Sequence, residues 1–244
     1  LQSMVCKQTA LLTLQNGLGN ETTLARLFPG LPIHGGMCFV CLNRIEPGVV
    51  SHIAHGKIVL GRHGGSPDEM TEAIATLIRS AGITVDISPD LKRAHWEKLV
   101  WNIPFNGLSV AGAAGLDAAR KGRLDPNQPI GRCLTTDALL DSGPWEQLVT
   151  DLMDEVIATG RALGHDLSPS LGQDQRNRTR VMKAYRASTP LDYERGLPLE
   201  LRAVFLLPLD EAQTAGVETP CLAALSKLLL SMDNRRKVSG SRTT

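Results

Sequence analysis

Residues 10–20 read ALLTLQNGLGN, a short apolar run that stops at Asn16-Gly17. A run of this length bounded by turn residues is typical of a buried parallel strand. In open α/β sheets such a strand delivers its C-terminal end to a ligand-binding loop. Asn20 or Thr22 then begins a short helix that Pro29-Gly30 ends. The succession of strand, loop and helix predicts an α/β fold here, although Asn16-Gly17 taken alone is only a turn.

The residues that follow continue the same pattern. Further strands are predicted over 33–42, 49–55, 57–60 and 83–87. Gly56 is expected to form the turn of a hairpin between two of them. A helix is expected to begin with Ser66 as its cap and Pro67 at its first position, and to end at Gly82.

From Pro89 onward the periodicity becomes helical. Helices are predicted over 90–113, 145–163, 174–186, 199–215 and 219–232. The sequence therefore predicts three parts: an α/β part over residues 1–88, an all-α part over 89–233, and a flexible tail over 234–244.

Composition excludes several classes of protein. The 244 residues are 42% hydrophobic, and 26 Lys plus Arg against 25 Asp plus Glu give a net charge of +1. No basic field is present to bind a nucleic-acid backbone, and no apolar run approaches the roughly 20 residues that span a bilayer. The five cysteines are dispersed and odd in number, which indicates reduced thiols and a cytoplasmic protein. Because the chain starts at Leu1 and enters a strand directly, we expect it to be the remainder of a longer protein.

The strongest chemical signal is a polar stripe formed by Lys98, Asn102 and Asn106. Their spacing of four residues places them along one face of a helix. Asn has a poor helix propensity, so two of them at this spacing need a reason. A solvated helix face is one explanation. The alternative is a site in which the amides orient a carbonyl and a carboxylate, and Lys98 donates a proton to the developing alkoxide.

A third stretch extends from Ser188 to Leu201. Pro190 and Gly196-Leu197-Pro198 predict an ordered loop that leads into a helix. Glu200 is expected in the first turn of that helix, where an acid suits the helix dipole. Simple helix capping is therefore an alternative explanation for Glu200.

Together these stretches resemble the ketopantoate reductase (2-dehydropantoate 2-reductase) family. The resemblance rests on the order and spacing of Gln15-Asn16-Gly17-x-Gly19, Lys98-Leu99-x-x-Asn102-x-x-x-Asn106, and Ser188 twelve residues before Glu200. Pro47-Gly48-x-Val50 and Gly216-Val217-x-Thr219-Pro220 also fit the family's pattern. The resemblance covers nearly the whole chain. It implies that residues 1–88 are part of a Rossmann-like, dinucleotide-binding domain and that 89–233 form a helical substrate or dimerisation domain.

The resemblance implies an NADP-dependent enzyme that reduces ketopantoate to pantoate on the route to coenzyme A. It implies that Lys98 is the general acid and that Asn102, Asn106 and Ser188 bind the substrate. Asn16 and Glu200 would contact the cofactor. The expected partner is a small 2-oxo acid, with no metal, nucleic acid or membrane, and a homodimer is compatible with the resemblance.

Three departures from the family's pattern leave alternatives open. Leu116 stands where a further substrate-binding Asn is often found, and Thr189-Pro190 follows Ser188 in place of the usual sequence. Both favour a related reductase for another 2-oxo or 3-oxo acid as an alternative. The third departure is that no Gly-x-Gly-x-x-Gly loop is present to bind a pyrophosphate. A non-catalytic helical binding or dimerisation module is therefore a second alternative.

Overall fold

A four-stranded sheet organises the first of the two units into which the chain divides, Leu1–His95 and Trp96–Thr244. The computed structural model describes residues 2–141 and 143–240. The first unit contains a short 3₁₀ turn, Gln2–Met4, then β1 Leu11–Thr13, α1 Asn20–Leu27, β2 Ile33–Glu46, β3 Val49–Arg62, α2 Glu69–Ser80, β4 Thr84–Ile87 and the start of α3 Leu91–Gly112. The strand order is β1-β2-β3-β4.

The opening strand and helix lie where the sequence predicts them. β1 pairs in parallel with β2, with Leu11 opposite Ile33, and β3 pairs in parallel with β4. β2 and β3 are antiparallel. The loop after β1 leads directly into α1, whose N-terminal cap is Gly19 in the left-handed region (φ 84°). Glycine suits this position because it has no Cβ to clash there.

The predicted hairpin around Gly56 is wrong. β3 is one continuous strand, and the turn that joins it to β2 lies at Pro47-Gly48. Gly56 forms a bulge: Phe39 pairs with Lys57 and Val40 with His55, so Gly56 is an extra residue in β3. Its φ of 142° is readily adopted by glycine, which explains why glycine occupies this position.

The cap of α2 also differs from the prediction. Asp68 caps the helix in place of Ser66, because its carboxylate accepts a hydrogen bond from the Thr71 amide at 3.0 Å. The Asp68 amide in turn donates to the Thr71 hydroxyl at 3.1 Å, which completes a capping box. Thr71 also lies 3.1 Å from the ring of His34, so the cap is joined to β2.

The core of the first unit extends to the beginning of α3. One cluster joins the sheet to α2 through Ile58, Leu60, Ala75 and Val85. A second cluster contains Met37, Leu91 and Ala94. Because the first turn of α3 packs on β2, the boundary between the units lies after His95, within the helix, and the predicted boundary lies after residue 88.

The second unit is helical, which confirms the predicted combination of an α/β part and an all-α part. Besides the rest of α3 it contains α4 Leu116–Lys121, α5 Thr136–Leu140, α6 Pro144–Ala162, α7 Leu171–Arg180, α8 Ser188–Glu194, a π-helical turn Arg202–Leu206, α9 Leu207–Thr214 and α10 Pro220–Gly240. The short helices α4, α5 and α8 were not predicted, because segments of five to seven residues show little periodicity.

Residues 234–240, which the sequence assigned to a flexible tail, continue α10. Arg236 explains the difference. Its guanidinium donates to the carbonyl oxygens of Tyr193 at 2.9 Å and Leu197 at 2.7 Å, and it pairs with Asp233. These contacts hold the end of a helix whose sequence is polar and lacks an apolar stripe. Residues 241–244 lie outside the described residues.

All five cysteines are free thiols, in very different environments. Burial and the neighbouring carboxylate Glu194 raise the pKa of Cys133 to about 12, and burial beside Glu155 raises that of Cys221 to about 12. The exposed Cys6 accepts a hydrogen bond from Thr9, which lowers its pKa.

We expect iodoacetamide at about pH 8 to modify Cys6 first and to leave Cys133 and Cys221 unmodified. At that pH a thiol of pKa about 12 is only about 10⁻⁴ thiolate, and the thiolate is the reactive form. Peptide mass spectrometry after timed labelling measures the rates, and labelling in urea is the control that shows all sites react once exposed. Labelling of Cys221 at the rate of Cys6 in the folded protein would contradict this prediction.

No helix within the described ranges is both long enough and apolar enough to span a membrane.

Candidate functional site

The polar stripe predicted on α3 is buried. Lys98, Asn102 and Asn106 retain 9%, 6% and 5% of their accessible surface. A solvated helix face is therefore excluded as the explanation for these residues. Placing an ammonium and two amides in a protein interior is costly unless polar partners meet them. Such a cluster is typical of a site that binds a polar ligand.

Buried apolar residues flank the stripe along α3. Leu99, Val100, Ile103 and Phe105 are at most 1% exposed, so α3 is covered on several faces. The helix continues through Pro104 even though proline has no amide to donate to the preceding turn. The burial of the stripe strengthens its electrostatic interactions with any charged ligand that it holds.

Asn106 and the segment at Ser188 are brought together by the fold. The Asn106 Oδ1 atom accepts a hydrogen bond from the Thr189 amide at 3.2 Å, although the two residues are 83 positions apart. Ser188 is the first residue of α8, where an ordered loop was predicted. Its side chain is exposed, whereas Ala187 and Thr189 are buried. Of the two substrate residues predicted here, one is thus buried and the other open to solvent.

Glu200 has an exposed side chain and lies just before the helical residues begin at Leu201. Its carbonyl oxygen accepts a hydrogen bond from the Val204 amide at 3.1 Å, so its main chain starts the helical turn. The sequence predicted that this helix begins at residue 199, which placed Glu200 within its first turn. Contact of its carboxylate with a cofactor stays a prediction.

Asn16 belongs to the first unit, in the loop that follows β1. Its carbonyl oxygen accepts a hydrogen bond from the Asn20 side chain at 3.0 Å, which ties the loop to α1. Gly17 and Gly19 both have positive φ, at 82° and 84°. The loop is therefore ordered and presents main chain with few side chains, which allows close approach of a ligand.

A buried pair, Glu21 and His95, was missed by the sequence analysis. The Glu21 carboxylate lies 3.0 Å from His95 Nε2, and both residues are 5% exposed. Gly35 faces the pair so closely that a Cβ there would lie 2.2 Å from Glu21 Oε1. Burial raises the pKa of Glu21, but the hydrogen bond and charge of His95, together with smaller effects of the main chain and His63, lower it below its ordinary value. In the sequence, Glu21 resembles an ordinary acid in the first turn of a helix. Only its burial in the folded chain identifies it as the partner of His95.

Replacing Glu21 by Gln is expected to lower stability at pH 7 by about 1–3 kcal/mol, since it removes a charged, buried hydrogen-bond acceptor. The pKa of Glu21 is lower in the folded chain than in the unfolded chain. Its contribution is therefore present above the unfolded pKa, about 4.3, and is lost as the pH falls through the folded pKa. Urea denaturation at pH 7 and at a series of pH values descending below the unfolded pKa measures both effects.

The exposed Glu72 in α2 provides the matched control. Glu72→Gln should change stability little at either pH. An equal loss in the two variants at pH 7, or an unchanged acid dependence in Glu21→Gln, would contradict the assignment.

The apolar Cys38-x-x-Cys41 pair lies in β2, with Cys41 buried and Cys38 half-buried. Within residues 2–141 and 143–240, no three His, Cys, Asp or Glu side chains are grouped so that they could hold a metal ion.

Family models match two segments of the chain. Residues 1–65 match the family model described as Ketopantoate reductase PanE/ApbA, and residues 124–233 match its C-terminal model. A 2-dehydropantoate 2-reductase from Nostoc sp. is 35% identical over 242 residues, which cover 97% of the chain and 70% of that relative. The chain belongs to the ketopantoate reductase family.

Solved ketopantoate reductases have the same fold. The structure of 2-dehydropantoate 2-reductase from Geobacter metallireducens is 37% identical, with a TM-score of 0.80 over 93% of the chain and 69% of its own. The enzyme from Methylococcus capsulatus is 26% identical, with a TM-score of 0.83 over 96% of the chain and 69% of its own. The first unit is accordingly the Rossmann-type part of a ketopantoate reductase, and the protein is an oxidoreductase of that family.

Proposed function

We propose that the chain catalyses the NADPH-dependent reduction of ketopantoate to pantoate. The observation that carries the proposal is the buried stripe of Lys98, Asn102 and Asn106 in a member of the ketopantoate reductase family. A buried cation and two buried amides suit a small anionic keto acid. The near-neutral chain, with a net charge of +1, requires the anion to be held by such a local site.

Lys98 is the proposed proton donor. Its ammonium has three N–H donors and no acceptor, so it can approach the ketone oxygen and transfer a proton as negative charge develops there. Asn102, Asn106 and Ser188 are proposed to hold the carboxylate and hydroxyl of the substrate. Fixing both ends of the substrate in this way places the ketone at Lys98 and lowers the entropy cost of the reaction.

The loop after β1 in the first unit is a suitable place for a dinucleotide to bind. The loop with Gly17 and Gly19 follows the carboxyl end of β1, and open α/β sheets bind their ligands at the carboxyl ends of their strands. We propose that Asn16 in this loop and Glu200 in the second unit contact NADP. When bound, NADPH supplies the hydride for the ketone carbon.

The experiment is to titrate the chain with NADPH and then to measure the oxidation of NADPH with ketopantoate as substrate. Binding together with turnover is the expected result. If the chain shows no NADPH binding and no turnover, the result favours the non-catalytic module, which the absence of a Gly-x-Gly-x-x-Gly loop suggests.

Ketopantoate is the proposed substrate, and a related 2-oxo or 3-oxo acid is the alternative. Leu116, which replaces a frequent Asn of the family, is half-buried at the first position of α4. A panel of keto acids compared by kcat/KM decides between them, since specificity is the ratio of these values. A preference for another acid would show that ketopantoate is not the substrate, but the enzyme would still be a keto acid reductase.

A homodimer and a cytoplasmic location stay predictions. Sedimentation analysis of the purified chain measures the first.

A further inference from the structure

Helix α8, which starts at Ser188, has no side-chain cap of its own. Its N-terminal neighbour is Ala187, which has no polar side chain, and no side-chain hydrogen bond caps the helix locally. The first amides of a helix have no partner within the helix. Asn106, on α3, accepts from one of them, the Thr189 amide, so a distant residue supplies the missing cap.

The C-terminal end of α8 is held by another distant residue, Arg236 on α10. Its Nη1 atom lies 2.9 Å from the Tyr193 carbonyl oxygen and 3.4 Å from that of Asp192. Its Nη2 atom donates to the Leu197 carbonyl at 2.7 Å and also to Asp233. The guanidinium carbon lies 5.1 Å from the centre of the Tyr193 ring, within the range of a cation–π contact.

The fork geometry of arginine explains why this residue is suited to the position. A guanidinium presents several N–H donors in one plane, so it can bond carbonyl oxygens of two successive turns at once. The Arg236 side chain is only 19% exposed, and Asp233 beside it is 5% exposed. The interaction is therefore shielded from solvent more than an ordinary surface contact.

We propose that Arg236 is a positioning residue that clamps the C-terminal end of α8, opposite the end held by Asn106, and thereby holds Ser188 in place for the substrate. The proposal rests on the proposed function, in which Ser188 binds the keto acid. Arg236 lies at the opposite end of a seven-residue helix from Ser188, a length of about 10 Å. Its effect on substrate binding is accordingly transmitted through α8.

The test uses Arg236→Lys and Arg236→Ala in the full chain with NADPH present. A lysine keeps the charge near Asp233 but has no planar fork to bond the three carbonyl oxygens, so it removes less of the interaction than alanine does. We expect faster hydrogen exchange of the amides in residues 188–196 in both variants. We also expect the KM for ketopantoate to rise about tenfold, the equivalent of losing one or two hydrogen bonds, with kcat close to that of the wild type.

Lys237→Ala is the matched control. Lys237 is the next residue of α10 and pairs with the same Asp233 at 2.6 Å, but its side chain is 64% exposed. This variant should keep the KM and the exchange of α8 unchanged. A thermal melt of each variant shows whether the chain is folded at the assay temperature.

A double-mutant cycle with Ser188→Ala distinguishes positioning from a general structural effect. If Arg236 acts through Ser188, then Arg236→Ala raises the KM little further once the Ser188 hydroxyl is absent. Unchanged exchange of α8, an unchanged KM, a loss of kcat in place of a rise in KM, or full additivity with Ser188→Ala would each overturn the proposal.

Failure of the proposed function gives a different result. If the wild-type chain reduces no keto acid, the proposed function has failed, and the exchange of residues 188–196 in the Arg236 variants alone decides whether the clamp exists.

Discussion

Replacing Lys98 by Ala is expected to reduce the turnover of ketopantoate by about 10²- to 10⁴-fold, the usual contribution of a positioned general acid. Lys98 is 9% exposed, so solvent has limited access to replace its ammonium as the proton source. NADPH binding should survive, because the proposed cofactor contacts belong to Asn16 and Glu200. Steady-state oxidation of NADPH and a binding titration measure the two quantities separately.

Lys92→Ala is the control for this prediction. Lys92 lies on the same helix and is exposed, so its removal should leave kcat, KM and NADPH binding close to those of the wild type. Unchanged kcat in Lys98→Ala would refute the role of Lys98 as proton donor. A rise in KM with kcat unchanged would assign Lys98 to uniform binding of the substrate.

Replacing Gly122 by Ala is expected to destabilise the second unit by about 2–5 kcal/mol, the sum of a left-handed conformation and overpacking. Gly122 ends α4 with φ 60° and ψ 29°. A Cβ there would lie 2.7 Å from the carbonyl oxygen of Ala224 and 2.8 Å from its Cα. These atoms are the main chain of α10, which cannot move aside without displacing the helix. Urea denaturation monitored by circular dichroism measures the loss.

Gly164→Ala separates the two contributions. Gly164 also has a positive φ, +90°, but no atom lies within 4 Å of the position of its Cβ. This variant should therefore lose only about 1–2 kcal/mol, the cost of the left-handed conformation. Equal losses in the two variants would show that contact with α10 contributes nothing at Gly122.

The local pattern predicted much of the fold. β1, α1, α3 and α6 lie within one or two residues of their predicted positions, because each is long or is bounded by Gly, Pro or a capping residue. Gly56 shows the limit of this reasoning. A glycine between two strand-like segments indicates either a turn or a bulge, and only the pairing of β3 with β2 decided for the bulge.

For the candidate site, the sequence predicted local features but not long-range contacts. The spacing of Lys98, Asn102 and Asn106 predicted a common helix face, since helical geometry is local. The capping of α8 by Asn106 and the pairing of Glu21 with His95, 74 residues apart, could not be predicted. Contacts at such separation depend on how distant elements pack, which no local periodicity encodes.

By itself, the sequence determined the α/β and all-α organisation, the polar stripe and the resemblance to ketopantoate reductases, because these follow from short-range periodicity and motif spacing. Only the tertiary structure decided that the stripe is buried, that α10 continues past residue 234, and that Arg236 holds α8. The physical reason is that burial and long-range hydrogen bonds arise only when distant segments of the chain pack together. A lysine or an arginine has the same sequence signature whether it faces solvent or is enclosed, and packing alone determines which of the two it does.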